Sequence, residues 1–112
     1  MLFDKITIIG IGLIGSSLAR VIMKKGLAGK LCACDKNKEY LAEARELGIV
    51  DEISEDLGKA VENADLVVYA TPVGAYGEIT RQIVPHLKKG VILTDVGSIK
   101  KYSIREIEEN LP

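Results

Sequence analysis

A glycine-rich turn between an apolar run and a helix-like pattern is the feature that most constrains the fold of this chain. The apolar run 5–9 is typical of a buried strand, and the periodicity over 13–25 predicts an α-helix. A second apolar run, 30–34, ends in Asp35. Strand, tight turn, helix and second strand in this order predict the first unit of a parallel sheet. The three glycines of the turn are Gly10, Gly12 and Gly15.

Each glycine has a predicted role in a site for the pyrophosphate of a dinucleotide. Gly10 lets the chain leave the strand in a sharp turn, because a residue without Cβ tolerates positive φ. Gly12 keeps side-chain atoms away from the phosphates, and Gly15 lets the helix pack closely against the first strand. The pyrophosphate would bind free N–H groups at the helix N-terminus. A tight turn without a ligand is the alternative.

Asp35 is the predicted partner of the adenosine ribose. At the end of the second strand its carboxylate would accept hydrogen bonds from both ribose hydroxyls. The same charge would repel a 2′-phosphate, which favours NAD over NADP. Lys36 and Lys38 follow directly and would tolerate the phosphate, so NADP stays possible.

The rest of the chain alternates strand and helix, which predicts an α/β fold with a doubly wound parallel sheet, a Rossmann-type domain over 1–112. Gly48 is expected to end the second helix and Ser54 to cap the third. The further expected strands cover 65–70 and 91–95, with a weak one around 52–53, and the further helices cover 40–47, 56–63, 76–87 and 104–111.

Composition excludes several classes of function. A formal net charge of −1 gives no reason to expect nucleic acid as a partner. There is no apolar run long enough for a membrane span and no secretory signal, so the default location is cytoplasmic. Cys32 and Cys34 are expected to be buried free thiols on one strand face. His86 is expected to be a surface residue near a helix C-terminus rather than an acid or base.

Two later loops should meet the glycine turn at the carboxyl edge of the sheet. Thr71 and Pro72, in the loop Ala70-Thr71-Pro72-Val73, would lie beside the nicotinamide half of a dinucleotide, although a plain turn is the alternative. Ser98, in Asp95-Val96-Gly97-Ser98, has the residue type of an ordinary N-cap. Its position in the crevice favours a second role, in which its hydroxyl holds a catalytic partner or substrate group.

Together these motifs resemble the N-terminal domain of the prephenate and arogenate dehydrogenase family over essentially the whole chain. The matching segments are Gly-Ile-Gly-Leu-Ile-Gly-Ser-Ser-Leu-Ala at 10–19, Asp35, Ala-Thr-Pro-Val at 70–73 and Asp-Val-Gly-Ser-Ile-Lys at 95–100. The resemblance implies an oxidoreductase of tyrosine biosynthesis that decarboxylates its substrate while passing a hydride to a nicotinamide.

The resemblance also implies roles for single residues. Leu13 and Ile14 would join the three glycines at the pyrophosphate, with Lys36 and Ala70 beside the cofactor. Ser98 would help to orient the catalytic histidine and the substrate hydroxyl. The family's Gly-Gly-His-Pro motif, which carries its general base, is not in these 112 residues.

We therefore expect a cofactor-binding domain that is inactive by itself. The resemblance implies that a helical domain absent from this chain binds the small-molecule substrate and forms the homodimer. Two alternatives remain, another NAD-dependent dehydrogenase of similar N-terminal fold and a dinucleotide-sensing module without chemistry. Thr71, Pro72 and Ser98 would have no role in a sensor, so their joint presence favours the enzyme.

Overall fold

Alternating strands and helices build one parallel sheet in the computed structural model, which describes residues 2–96. The predicted helix over 104–111 lies outside the described residues. The strands are β1 (Phe3–Ile9), β2 (Ala28–Cys34), β3 (Glu52–Ser54), β4 (Leu66–Tyr69) and β5 (Ile92–Asp95). The α-helices are α1 (Leu13–Lys25), α2 (Lys38–Glu46), α3 (Leu57–Val61) and α4 (Tyr76–Ile83), and 3₁₀ turns cover Val73–Ala75 and Val84–His86.

The sheet has the order β3-β2-β1-β4-β5, and all of its pairs are parallel. The predicted doubly wound α/β fold is confirmed. β1 and β2 begin earlier than their apolar runs, because Phe3 pairs with Ala28 before the buried part of either strand begins. The carboxyl ends of β1, β2 and β4 meet at one edge, where the glycine turn and the later loops emerge.

Side chains that alternate along the strands divide the core between the two faces of the sheet. Ile6 and Ile8 pack with α1 and α2 on one face, where Ile22 and Leu41 are also buried. Ile9 packs with α3 and α4 on the other. The Thr7 hydroxyl, fully buried, donates a 2.6 Å hydrogen bond to the carbonyl of Ala60 in α3. The glycine turn is therefore anchored by a strand that is packed on both sides.

Several helix boundaries differ from the sequence prediction by one to four residues, and two of the differences have a clear physical cause. Ser54 does not cap α3; its hydroxyl accepts from the Asp56 N–H, and Asp56 is the N-cap, accepting from the Lys59 N–H at 3.1 Å. α4 ends at Ile83 rather than continuing to 87, because Pro85 cannot donate a helical hydrogen bond and the chain tightens into a 3₁₀ turn. Gly48, with φ +70°, follows the end of α2 as predicted.

The predictions that Cys32 and Cys34 are buried free thiols and that His86 lies on the surface are confirmed. Both cysteines are free and buried against Ala60, on one face of β2. His86 is exposed, and a β-carbon at Gly58 would lie 2.7 Å from its Nε2. The imidazole therefore packs on the backbone of α3.

Candidate functional site

The glycine turn leaves β1 in a conformation that requires glycine. Gly10 has φ +98°, and its N–H donates a 2.7 Å hydrogen bond to the Cys34 carbonyl at the end of β2. A β-carbon at position 10 would lie 2.9 Å from the Ala70 carbonyl oxygen and from Cγ2 of Thr71. The turn is thus enclosed by the ends of β2 and β4.

The other two glycines of the turn have opposite surroundings. A β-carbon at Gly15 would lie 2.0 Å from the Gly10 carbonyl oxygen, so the first turn of α1 rests directly on the end of β1. A β-carbon at Gly12 would meet no atom within 4 Å. Gly15 therefore serves packing, whereas Gly12 leaves space open to the outside.

The N-terminus of α1 is open to an anion. Gly12 is its N-cap and supplies no side-chain hydrogen bond, and the first turn contains no acidic residue. Leu13 is 87% exposed and Ile14 is 43% exposed, so neither side chain is buried in the core. Unsatisfied N–H groups and the helix dipole favour a bound anion at such an end.

Asp35 is held rigidly at the end of β2. The Ile11 N–H donates to its Oδ2 at 2.9 Å, and the Asn37 N–H donates to its Oδ1 at 2.8 Å. Each carboxylate oxygen can accept more than one hydrogen bond, so both retain capacity for a ligand. The Asn37 side chain in turn accepts from the N–H groups of Glu39 and Tyr40, in the first turn of α2, at 2.9 and 3.1 Å. The acid therefore belongs to a fixed frame of turn, strand and helix.

A cavity of about 490 Å³ lies beside Asp35, on the face of the sheet that carries α3 and α4. Its floor is apolar, whereas its rim carries most of the charged groups. The lining residues are Ile9, Gly10, Cys34, Asp35, Lys36, Glu55, Asp56, Leu57, Thr71, Pro72, Ala75, Glu78, Ile79 and Gln82. Concave sites with an apolar lining and a few fixed polar groups are typical of small-molecule binding.

The loop after β4 forms another wall of this cavity. Thr71 and Pro72 line it together with Asp35. The Thr71 hydroxyl oxygen is buried and has no hydrogen-bond partner among residues 2–96. The Ala70 N–H donates to the Ile9 carbonyl at 2.8 Å, and the Ala70 methyl lies close to the start of α1. A buried hydroxyl without a partner costs free energy, which a hydrogen-bonding ligand would recover.

These features fit a dinucleotide. An uncapped helix N-terminus suits its pyrophosphate, the fixed carboxylate of Asp35 suits a ribose diol, and the adjoining cavity has an apolar floor for a flat base. Gly12 leaves the space that the phosphates would need.

Comparison with known proteins decides the family. The family model described as the nucleotide-binding domain of prephenate dehydrogenase matches residues 18–112. The chain belongs to this family. A cyclohexadienyl dehydrogenase of Zymomonas mobilis is 40% identical to this chain over 98% of the chain and 38% of its own length.

Two solved structures have the same fold at the level of the whole domain. Prephenate dehydrogenase from A. aeolicus, in complex with hydroxyphenyl propionate and NAD+, has a TM-score of 0.75 at 28% identity, covering 82% of this chain and 32% of its own. Synechocystis arogenate dehydrogenase has a TM-score of 0.75 at 31% identity, covering 81% of this chain and 32% of its own. The chain thus spans about a third of the length of its relatives.

The cavity also has lining residues that sequence reasoning missed. Glu55 and Asp56 follow β3, whereas Glu78 and Gln82 lie one turn apart on α4. The rule that loops after parallel strands line the crevice would have found the first pair. The second pair gave no local signal, because α4 reaches the cavity only through the crossover from β4. Ser98 lies outside the described residues.

Other kinds of site find no support in residues 2–96. No α-helix in this part of the domain has the length and apolar character to cross a membrane. Within the same residues, no group of three or more histidine, cysteine or acidic side chains could hold a metal ion.

Proposed function

We propose that this domain binds NAD for an oxidoreductase that oxidatively decarboxylates prephenate or arogenate in tyrosine biosynthesis. The observation that carries the proposal is Asp35, fixed by two backbone hydrogen bonds between the open N-terminus of α1 and the cavity. Family membership and the NAD+ in the A. aeolicus relative support the cofactor. The names of the relatives support the substrate class.

The pyrophosphate would bind the N–H groups at the start of α1. Gly12 admits it, and Leu13 and Ile14 supply backbone donors while Gly10 and Gly15 shape the turn. Binding there needs no movement of a side chain, because the helix end has no capping side chain to displace.

The adenosine would enter the cavity with its ribose on Asp35. Lys36 lies on the rim, whereas Thr71 and Pro72 line the wall across from β2. We assign the Thr71 hydroxyl, which has no partner within residues 2–96, to a hydrogen bond with the cofactor. Because Thr71 and Pro72 share a cavity with Asp35, they would contact the adenosine half of the cofactor as well as the part that leads to the nicotinamide. Ala70 would support the turn by its backbone rather than contact the base.

When bound, the nicotinamide would accept the hydride from the substrate ring carbon that bears the hydroxyl. We propose that Ser98 orients the catalytic histidine and the substrate hydroxyl. The single histidine of this chain, His86, packs on α3 and does not line the cavity. We therefore expect the 112 residues to have no catalytic activity by themselves. The substrate-binding residues, the general base and a homodimer interface would belong to a longer enzyme, which we expect to be cytoplasmic.

Calorimetric titration of the chain with NAD and NADP tests the cofactor proposal. We expect NAD to bind, and Asp35→Ala to weaken it at least tenfold through lost ribose contacts and a looser turn, about 1.4 kcal/mol or more. Glu46→Gln, an exposed site on α2 outside the cavity lining, is the control.

Failure of the parent chain to bind either dinucleotide would refute the cofactor proposal. Binding without turnover in the longer protein, given prephenate or arogenate, would favour the dinucleotide-sensing alternative. Turnover of a hydroxy acid instead would favour the other dehydrogenase class.

A further inference from the structure

The rim of the cavity next to Asp35 is strongly acidic. Among the charged residues that line it, four are acids and one is a lysine. Two of the acids, Glu55 and Glu78, come from separate elements, the loop after β3 and helix α4. They therefore face the ligand space from sides that Asp35 does not cover.

One of these acids pairs with a cation that would otherwise favour a phosphate, and the other shares the cavity with a second such cation. Glu55 forms an exposed ion pair with Lys38, with 3.9 Å between Oε1 and Nζ. Glu78 and Lys36 both line the cavity. Glu78 additionally accepts hydrogen bonds from Arg81 and, at 3.1 Å, from Gln82.

The electrostatics of Glu78 agree with this arrangement. Its pKa is lowered, first by the hydrogen bond from Arg81, then by that from Gln82, and also by the charges of Arg81 and Lys36. Glu78 therefore stays ionised at neutral pH, and the cations around it are offset by its charge.

We propose that Glu55 and Glu78 act with Asp35 as specificity residues that disfavour NADP, Glu55 by offsetting the charge of its partner Lys38 and Glu78 by offsetting that of Lys36, which lines the same cavity. This inference rests on the proposed binding of NAD at that cavity. It differs from a reading of Asp35 alone, in which the two lysines would be free to hold a 2′-phosphate.

The size of the effect follows from Coulomb's law. A 2′-phosphate carries a charge of about −1.5 to −2 at neutral pH. At a separation of about 7 Å in water-like surroundings, removal of one carboxylate charge should raise NADP affinity roughly fivefold. The effect should be largest near 0.01 M salt, where the screening length is about 30 Å, and should shrink as salt is added.

The first experiment measures dissociation constants of NAD and NADP for Glu55→Gln, Glu78→Gln and the double variant of the 112-residue chain. We expect the preference for NAD to fall roughly fivefold for each variant and roughly twenty-five-fold for both, since exposed sites act nearly independently. Asp56 is left unchanged because its carboxylate caps α3. Glu46→Gln makes the same charge change away from the cavity and should leave the preference unchanged.

The second experiment tests whether the acid acts through the lysine. Lys38→Gln in the parent chain should lower NADP affinity, because Glu55 is then uncompensated, and in the Glu55→Gln background it should return NADP affinity to about that of the parent. A double variant that kept the full gain would show that Lys38 does not act on the 2′-phosphate.

Three results bear on the proposal. A parent chain that binds neither dinucleotide would refute the proposed function itself. A parent that prefers NAD, with a preference unchanged by either glutamate variant, would overturn this inference and leave Asp35 as sole determinant. Equal gains in Glu46→Gln would also overturn it, because a general charge effect would then explain them. Far-ultraviolet circular dichroism verifies that each variant is folded.

Discussion

Two substitutions in one turn, Gly15→Ala and Gly12→Ala, should separate packing from ligand binding. The added atoms are identical, but their surroundings differ. At position 15 the β-carbon would meet the Gly10 carbonyl oxygen at 2.0 Å, whereas at position 12 it would meet nothing within 4 Å. Gly12 also has a negative φ of −68°, which alanine adopts.

The cost at position 15 comes from forced movement. Carbon and carbonyl oxygen normally stay about 3.3 Å apart, so α1 would have to shift by more than about 1 Å from the end of β1. Overpacking of this kind costs about 3 kcal/mol, and the better helix propensity of alanine returns about 1 kcal/mol. The net loss of about 2 kcal/mol corresponds to a fall in Tm of about 8–16 °C.

The cost at position 12 falls on the ligand. Alanine makes the unfolded chain stiffer, which stabilises the domain, but it is a poorer N-cap residue than glycine, which destabilises it. Each effect on the free energy of unfolding is below about 1 kcal/mol, and the two oppose one another. Stability should therefore change little, but the methyl group would occupy the space that phosphates need. We expect NAD affinity to fall at least tenfold, about 1.4 kcal/mol or more.

Urea unfolding followed by far-ultraviolet circular dichroism, with calorimetric titration of NAD, measures both quantities; the chain has no tryptophan for fluorescence. Equal stability of the Gly15→Ala and parent chains would refute the packing argument. Unchanged NAD affinity in Gly12→Ala would refute the placement of the pyrophosphate.

Three further outcomes follow from buried or paired polar groups. Thr71→Val removes a buried hydroxyl that has no partner within residues 2–96. It should raise the free energy of unfolding by about 1 kcal/mol and weaken NAD binding. Unchanged NAD binding would show that the hydroxyl does not contact the cofactor. The pKa of Asp65 is lowered, first by its hydrogen bond from Lys88, so its stabilising effect is complete above the unfolded pKa and is lost as the pH falls through the folded one. Asp65→Asn should therefore destabilise the domain at pH 7, with the difference from the parent shrinking below about pH 4 in urea titrations; a difference independent of pH would contradict this. Burial raises the pKa of Cys32 to about 11 and that of Cys34 to about 12. Both thiols should therefore react with a disulfide reagent at pH 8 only after the domain unfolds. Fast reaction of the folded chain would contradict their burial.

The glycine turn and the two strands around it could be predicted from sequence because their signals are local. Gly10 directly follows β1, where the turn requires a positive φ. Asp35 directly follows β2, where its side chain reaches the turn. Both conditions are visible as spacing along the chain. The parallel sheet followed in the same way, from near-continuous apolar runs separated by helical patterns.

Competing local partners limited the prediction of helix ends. Ser54 and Asp56 are both good capping residues, and sequence alone could not rank them. In the structure Ser54 remains in β3, where it pairs with Cys34 of β2, and this leaves Asp56 at the start of α3. At the other boundary, the apolar stripe of α4 hid the effect of Pro85 on the helix before it.

The acids of the cavity rim could not be predicted because their proximity is a product of topology. Glu55 and Glu78 lie far apart in sequence and meet only after β4 has crossed to the other side of β1. The positions of charged residues along the chain do not predict this crossing.

The hydrogen bond from the Ile11 N–H to Asp35 has a consequence for engineering cofactor choice. Replacing Asp35 by alanine or a cationic residue to admit a 2′-phosphate also removes the acceptor that steadies the phosphate-binding turn. Such a redesign would change the selectivity but would also lower the affinity for both NAD and NADP. The exposed carboxylates of Glu55 and Glu78 accept nothing from the turn among the described hydrogen bonds, so substitutions there offer a way to alter selectivity while the turn stays intact.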